Sequence, residues 1–137
     1  MGRRRADVKS AWGKTIGYSR AIRTDDTIYI SGTTATEPTL KTAEEQAASI
    51  FATIGTTLQE LGGDTRHVVE TKIYLKNIDD WKAVGRVHGD VFRDVRPATT
   101  ILQVDAFVSG EALVEISAIA KLPTRVEAFN SRHGRGR

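Results

Sequence analysis

Apolar and polar positions alternate in five parts of the chain, and this period of two is typical of β-strands. The five parts are residues 17–24, 27–32, 67–75, 98–107 and 113–122. The first two flank a Thr-Asp-Asp turn and therefore predict a β-hairpin, which Gly32 ends. In the third, the alternation places Val69, Thr71 and Ile73 on one face.

Residues 43–63 repeat their apolar side chains at intervals of three and four, which predicts an amphipathic helix. Thr42 and Glu45 have the spacing of a capping box at its start, and Gly62 and Gly63 are expected to end it. The face expected to be buried consists of Ala47, Ile50, Ile54, Leu58 and Leu61.

Residues 80–95 have the same period and predict a second helix, with Asp79 as its N-cap and Pro97 as the residue that stops it. Its apolar stripe consists of Trp81, Val84, Val87, Val91 and Val95.

The order of elements is therefore ββαβαββ, which predicts an α+β fold with two helices on one face of a mixed sheet. The other face has no helix to cover it, although the late strands are strongly apolar. We expect that face to contact another subunit in a closed cyclic oligomer.

Composition narrows the classes of function. The chain has 137 residues, 39% hydrophobic and 27% charged, as is typical of one globular domain. It has no cysteine, which excludes disulfides, thiolate nucleophiles and cysteine-ligated metals. No apolar run approaches a membrane span and no secretory signal is present, so a cytoplasmic protein is expected.

The net charge of +3 is concentrated at the two ends of the chain. Residues 1–15 are expected to be a basic, flexible segment, residues 16–123 the folded domain, and residues 124–137 a basic, disordered tail. The body between the tails is net acidic, so nucleic acid is not expected as a partner.

The groups that could carry acid–base chemistry near neutral pH are few. His67 is expected at the surface, His133 lies in the tail, and His88 follows the apolar stripe of the second helix. Glu115 interrupts an apolar strand, as either an edge residue in water or a buried acid with a partner. Arg96 could bind a ligand carboxylate, or pair with Asp94 or Glu115. No spacing indicates a metal site or a Ser-His-Asp triad.

Four segments together resemble the Rid family of reactive intermediate deaminases, also called YjgF: GYSRAIRTDDTIYISGTTA, VVETKIYLKNIDDW, RPATTILQV and LVEISAIA. The resemblance covers roughly residues 16 to 121. It implies a chorismate-mutase-like fold and a homotrimer with three clefts between subunits. It also implies hydrolysis of enamines and imines such as 2-aminoacrylate, without a metal or organic cofactor.

Several positions that the resemblance identifies as functional keep the family residue. The tyrosine of the first segment matches Tyr18, and the Ser-Gly pair after the second strand matches Ser31 and Gly32. Glu115 is also kept; it lies two residues before the position of the glutamate that orients the attacking water in the family.

Other positions differ. The asparagine of the second helix falls on Gly85, and the tyrosine three residues later falls on His88. The arginine that binds the substrate carboxylate falls on Thr99, and the water-orienting glutamate falls on Ser117. A threonine offers one neutral hydrogen bond in place of a bidentate ionic pair, so the standard 2-aminoacrylate activity is not expected.

Two main hypotheses follow. In the first, Tyr18, His88 and Glu115 supply acid–base groups for a small imine, enamine or related conjugated metabolite, and Arg96 or Arg20 replaces the missing anchor. In the alternative, the trimer binds a small molecule without turnover, in a pocket whose ligand-binding residues are Thr99, Ser31, Gly32, Ile101, Ser117 and Arg96. No cofactor is expected in either case.

Overall fold

The computed structural model describes residues 2–123 as one six-stranded mixed sheet with two helices. In chain order the elements are β1 (Arg3–Ala6), β2 (Ala21–Thr24), β3 (Thr27–Thr33), α1 (Ala43–Glu60), β4 (Val68–Leu75), α2 (Trp81–Phe92), β5 (Ala98–Gln103) and β6 (Val114–Lys121). The strand order is β1-β2-β3-β6-β4-β5, with β5 parallel to β4 and every other pair antiparallel. The expected mixed sheet with two helices is confirmed.

The N-terminal segment contains a strand that the sequence did not predict. Residues 3–6 pair with β2, and Ala6 is buried. Arg4 donates a hydrogen bond to the carbonyl oxygen of Glu60, and Arg23 on β2 donates one to that of Leu61. These cations satisfy carbonyls that the end of α1 leaves without helical partners. Residues 3–6 therefore form a strand within the segment that was expected to be flexible, and the predicted tail 124–137 lies outside the described residues.

The first helix begins as predicted. The Thr42 hydroxyl accepts a hydrogen bond from the backbone N–H of Glu45, and the Glu45 carboxylate accepts one from that of Thr42, which completes the capping box. The predicted apolar face is buried: Ala47, Ile50, Ile54, Leu58 and Leu61.

The second helix differs from the prediction at both ends. Asp79 does not cap it; Asn77 instead accepts a hydrogen bond from the Asp79 N–H and starts a single 3-10 turn before the helix. The helix ends at Phe92 because the chain turns through Arg96, whose positive φ of 53° closes that turn before Pro97. Phe92 is buried, whereas Trp81, which the stripe predicted to be buried, is 49% exposed.

A register shift near the start of β4 changes which valine faces the core. The pairing with β6 is interrupted between Val68 and Glu70, so Val68 is buried and Val69 is exposed. The expected face of Val69, Thr71 and Ile73 is therefore correct only for Thr71 and Ile73, both of which are fully buried.

One face of the sheet packs against both helices, and the other carries no helix. Along β6, buried and half-buried residues alternate, with Ile116 against the helices and Glu115 on the open face. The open face also exposes Tyr29 on β3 and Leu102 on β5. This is the arrangement that the element order predicts.

Candidate functional site

The first group of candidate functional side chains lies where β3 meets β6. Ile30 pairs with Ala118 and Thr33 with Ile116, so Ser31 and Gly32 together oppose the single residue Ser117. This two-against-one arrangement is a β-bulge, and bulges occur often beside active sites because they redirect side chains.

Gly32 makes room for the Glu115 carboxylate. A β-carbon built on Gly32 would approach the Glu115 Cδ to 3.1 Å and would lie closer still to Oε2. Gly32 does not have a positive φ, so its lack of a side chain serves this close approach rather than an unusual backbone conformation.

The carboxyl group of Glu115 is half-buried, and this burial raises its pKa above the ordinary value of 4.5. No described side chain donates a hydrogen bond to it or forms an ion pair with it. The sequence left two alternatives open for Glu115: an edge residue in water, or a buried acid with a partner. Within residues 2–123 the structure shows neither, because the carboxyl is half-buried and has no partner. The carboxyl has its donor and acceptor capacity available for a ligand.

Glu115 lines a cleft of about 360 Å³ together with Gly32 and Ser117. Sequence reasoning missed the rest of the lining: Tyr74, Val104, Ala106, Phe107 and Val108. The alternation in β4 shows that Tyr74 faces away from the core, but only the pairing of Tyr74 with Glu115 brings the two together. The other four follow β5. The sequence predicted this strand to continue to residue 107, but it ends at Gln103, and the residues after it form a loop that lines the cleft.

The second group lies between α2, the middle of β4 and the start of β5. The Nε2 atom of His88 is 2.9 Å from Oγ1 of Thr71, and that oxygen is 2.8 Å from Oγ1 of Thr99. Thr99 Oγ1 is also 3.4 Å from His88 Nε2, and it donates a 3.0 Å hydrogen bond to the carbonyl oxygen of Pro97.

The His88 ring is held on its other sides by aromatic residues. Its centroid lies 5.7 Å from that of Phe51, edge-on, and 4.7 Å from that of Phe92. Burial lowers the pKa of His88 below the ordinary value of 6.5, so the neutral ring predominates at pH 7.

These two groups lie on opposite faces of the sheet. Thr99 pairs with Thr71, which is fully buried against the helices, whereas Glu115 pairs with Tyr74 and Ser117 with Lys72 on the open face. A single copy of the chain therefore does not bring Glu115 and His88 into one pocket. We refer to them below as the Glu115 cleft and the His88 edge, the latter consisting of Thr71, His88 and Thr99.

The remaining predicted residues lie apart from both places or support them. Tyr18 lines a separate basic cavity formed by residues 3–22 and is 39% exposed. Ser31 donates a 2.7 Å hydrogen bond to the carbonyl oxygen of Ser19, which ties the bulge to the segment that carries Tyr18. Ile101 pairs with Ile73 and packs against the core.

Neither arginine considered as a displaced anchor is directed at the Glu115 cleft. Arg96 donates through Nε to the carbonyl oxygen of Arg93 at 3.1 Å, rather than to Asp94 or Glu115. Arg20 donates through Nη1 to the hydroxyl of Thr33 at 2.9 Å.

The other histidine among the described residues, His67, lies in the single turn that precedes β4. The residue is partly exposed, but its Nδ1 atom is buried without a described partner, and burial lowers its pKa. His133 lies outside the described residues. Within residues 2–123, no group of three or more His, Asp or Glu side chains could hold a metal ion, and no helix is long and apolar enough to cross a membrane.

Comparison with known proteins establishes the family. The family model described as Endoribonuclease L-PSP matches residues 9–122, nearly all of the described chain. A solved structure of a YjgF/YER057c/UK114 family member from Mycobacterium tuberculosis superposes with a TM-score of 0.83 at 31% identity, over 88% of this chain and all of that one. The chain belongs to the Rid/YjgF family.

Its curated relatives include proteins with and without an assigned reaction. An uncharacterised protein of Streptomyces coelicolor is 33% identical over 121 residues, which cover 85% of this chain and 90% of that protein. The human 2-iminobutanoate/2-iminopropanoate deaminase is 32% identical over 123 residues, covering 86% and 89% respectively. The chain is therefore a distant relative of imine deaminases.

Proposed function

We propose that this protein hydrolyses a small imine or enamine in a cleft shared between two subunits of a homotrimer. The observation that carries the proposal is Glu115: a half-buried carboxyl with a raised pKa, lining a cleft of ligand size, with no described partner of its own. A perturbed acid in a cleft is the arrangement expected of an acid–base catalyst.

The shared cleft is supported by the positions of the two groups of residues. The Glu115 cleft and the His88 edge lie on opposite faces of the sheet, so only a second copy can place one group beside the other. Two features favour such an association: β5 ends the sheet as an unpaired edge strand, and the open face exposes Tyr29 and Leu102.

The reaction requires one group that can both accept and donate a proton. Water adds to the imine carbon and forms a carbinolamine, while one proton leaves the water and one reaches the nitrogen. The C–N bond then breaks, a carbonyl forms and ammonia leaves. An enamine first takes a proton on carbon and loses one from nitrogen, which gives the imine. Glu115 can accept the proton from water and return it to nitrogen, and a pKa raised towards neutral pH suits both steps.

A non-catalytic binding trimer is the second candidate function. The observation that favours it is the lining of the Glu115 cleft, which contains no second carboxylate, histidine, lysine or arginine among the described residues. Binding without turnover would need only the apolar wall, the Ser117 hydroxyl and one carboxyl group.

An assay in which the protein competes with semicarbazide for a short-lived imine distinguishes hydrolysis from binding without turnover. An L-amino acid oxidase converts leucine into its imine in the presence of catalase and semicarbazide, and semicarbazone formation is followed by absorbance. An amine oxidase does the same with 3-methylbutylamine, which differs from leucine only by lacking the carboxylate. A protein that hydrolyses either imine lowers the rate of semicarbazone formation in that reaction.

We expect the native protein to lower semicarbazone formation from at least one imine, and the Glu115→Ala variant to have no effect. Glu44→Ala removes an exposed carboxylate on α1 and is the matched control, expected to behave as the native protein. If neither imine is affected, or if Glu115→Ala is as active as Glu44→Ala, catalysis by Glu115 is refuted and the binding function is favoured.

A further inference from the structure

The His88 edge has three short hydrogen-bond contacts and a fourth, longer one of 3.4 Å between Thr99 and His88, and it has few protons to supply them. The carbonyl oxygen of Pro97 can only accept, so the proton of its 3.0 Å hydrogen bond must come from the Thr99 hydroxyl. That hydroxyl has a single proton. The 2.8 Å contact between Thr71 and Thr99 must then use the proton of Thr71.

The direction of the remaining contact follows. With the Thr71 proton directed to Thr99, the 2.9 Å contact between Thr71 and His88 needs a proton on Nε2. The chain then runs in one direction, from His88 Nε2–H to Thr71, from Thr71 to Thr99, and from Thr99 to the Pro97 carbonyl. Reversing it so that Thr71 donates to His88 leaves the Pro97 contact without a proton and makes two hydrogen bonds instead of three. Each neutral hydrogen bond contributes about 1 kcal/mol net, so the first direction is favoured.

This direction determines what the edge presents to a ligand. Thr71 is fully buried, so Thr99, which is exposed, is the hydroxyl that a ligand can reach. Its proton is already donated to Pro97, and one of its lone pairs accepts from Thr71. The Thr99 oxygen therefore has one lone pair available to a ligand, and its only other contact is the long 3.4 Å one with His88. No described lysine or arginine hydrogen-bonds to Thr71, His88 or Thr99.

We infer that Thr99 is a specificity-determining residue that accepts a hydrogen bond from its ligand, so that this edge takes an N–H or O–H group, as in a neutral imine, amine or amide, and disfavours a carboxylate. This rests on the proposed function in that it takes the edge to be part of the ligand site. A carboxylate oxygen placed against Thr99 would face a lone pair, and binding would require breaking the hydrogen bond to Pro97. The substrate would then be an imine derived from an amine or an amide rather than one derived from an amino acid.

The tautomer of His88 tests the direction of the chain without any ligand. Long-range ¹H–¹⁵N correlation at pH 8 distinguishes a proton on Nε2 from one on Nδ1, and the His88→Gln variant assigns the resonances. We expect the Nε2–H tautomer in the native protein. Thr99→Val removes the acceptor of the Thr71 proton, so Thr71 becomes free to donate to His88 and the Nδ1–H tautomer should gain population. A native protein with the proton on Nδ1 would overturn the inference.

Binding of a matched pair of small molecules tests the consequence. Isovaleramide and isovalerate differ only in an NH₂ group and a charged oxygen. Their dissociation constants follow from shifts of the methyl resonance of residue 99, which both threonine and valine provide. We expect the amide to bind about tenfold more tightly, the value of one hydrogen bond gained and one repulsive contact avoided. Thr99→Val should abolish the preference. Thr100→Val, on the opposite face of the same strand, is the control and should keep it.

Equal or tighter binding of isovalerate would refute the inference, and so would the absence of any shift with either compound. A protein that hydrolyses the leucine imine and binds isovalerate preferentially would retain the proposed function and lose this inference. A protein with the Nε2–H tautomer and the amide preference, but no turnover, would support this inference and refute the proposed function.

Discussion

Substitution of Gly32 by alanine should lower activity strongly while leaving the fold intact. The new methyl group would lie 2.5 Å from Glu115 Oε2, whereas ordinary van der Waals contact begins at 3.4 Å. The carboxylate must therefore move by at least 0.9 Å, the difference between those two distances. It is the far end of a flexible side chain beside an open cleft, and Gly32 has no positive φ, so the move costs the fold little.

The same displacement is large on the scale of catalysis. A misplacement of about 1 Å in a reacting group can reduce a rate about 100-fold, because proximity and orientation contribute much of the acceleration. We therefore expect Gly32→Ala to lower kcat/KM for the hydrolysed imine by about two orders of magnitude, with a melting temperature within about 3 °C of the native value.

The measurement is the semicarbazide competition, combined with thermal unfolding. Gly89→Ala is the matched control: Gly89 lies in α2, and a β-carbon there meets nothing within 4 Å. That variant should retain activity and gain about 1 kcal/mol in stability, since alanine favours a helix over glycine. Activity of Gly32→Ala equal to that of Gly89→Ala would refute the role assigned to the close approach.

Three further predictions concern stability and assembly. Burial raises the pKa of Glu115, so ionisation of this group destabilises the folded state as the pH rises above 4.5. Glu115→Gln should therefore be more stable than the native protein at pH 7 and equally stable near pH 4. Thermal unfolding measured across this pH range tests both expectations. Arg23→Ala removes the hydrogen bond to the Leu61 carbonyl and should cost about 1 kcal/mol, whereas Arg86→Ala, an exposed cation on α2, should cost little; equal losses would contradict the capping role. Light scattering should give three times the chain mass of 15.0 kDa, and a monomer would refute the shared cleft.

Local sequence patterns predicted the fold well where the environment of a residue depends only on residues near it in the sequence. The period of α1 gave its buried face, and the Thr42–Glu45 spacing gave its capping box. Prediction failed where the outcome depends on distant partners. β1 exists because it pairs with β2 and because Arg4 reaches the end of α1. The sequence of residues 3–6 has no pattern from which either contact could be predicted.

The same distinction applies to the candidate site. Glycine in a strand is a recognised signal of a bulge or a close approach, so Gly32 could be singled out from sequence. The register that sets it against Glu115 could not, because register depends on long-range pairing. Alternation correctly put Thr99 and Ile101 on one face, yet it could not show that this face is opposite to that of Glu115 and Ser117 in the assembled sheet.

The separation of the two groups of residues implies that a change in one should leave the other intact. Glu115 depends on Gly32 and on its position in β6, and it makes no described contact with the His88 edge. The His88 edge is held by its own chain of hydrogen bonds, which ends on the Pro97 carbonyl. Residues without shared partners usually act independently on stability. A substitution at Thr99 is therefore expected to change the hydrogen bonds of the His88 edge, while the Glu115 carboxyl on the other face keeps its burial and its raised pKa.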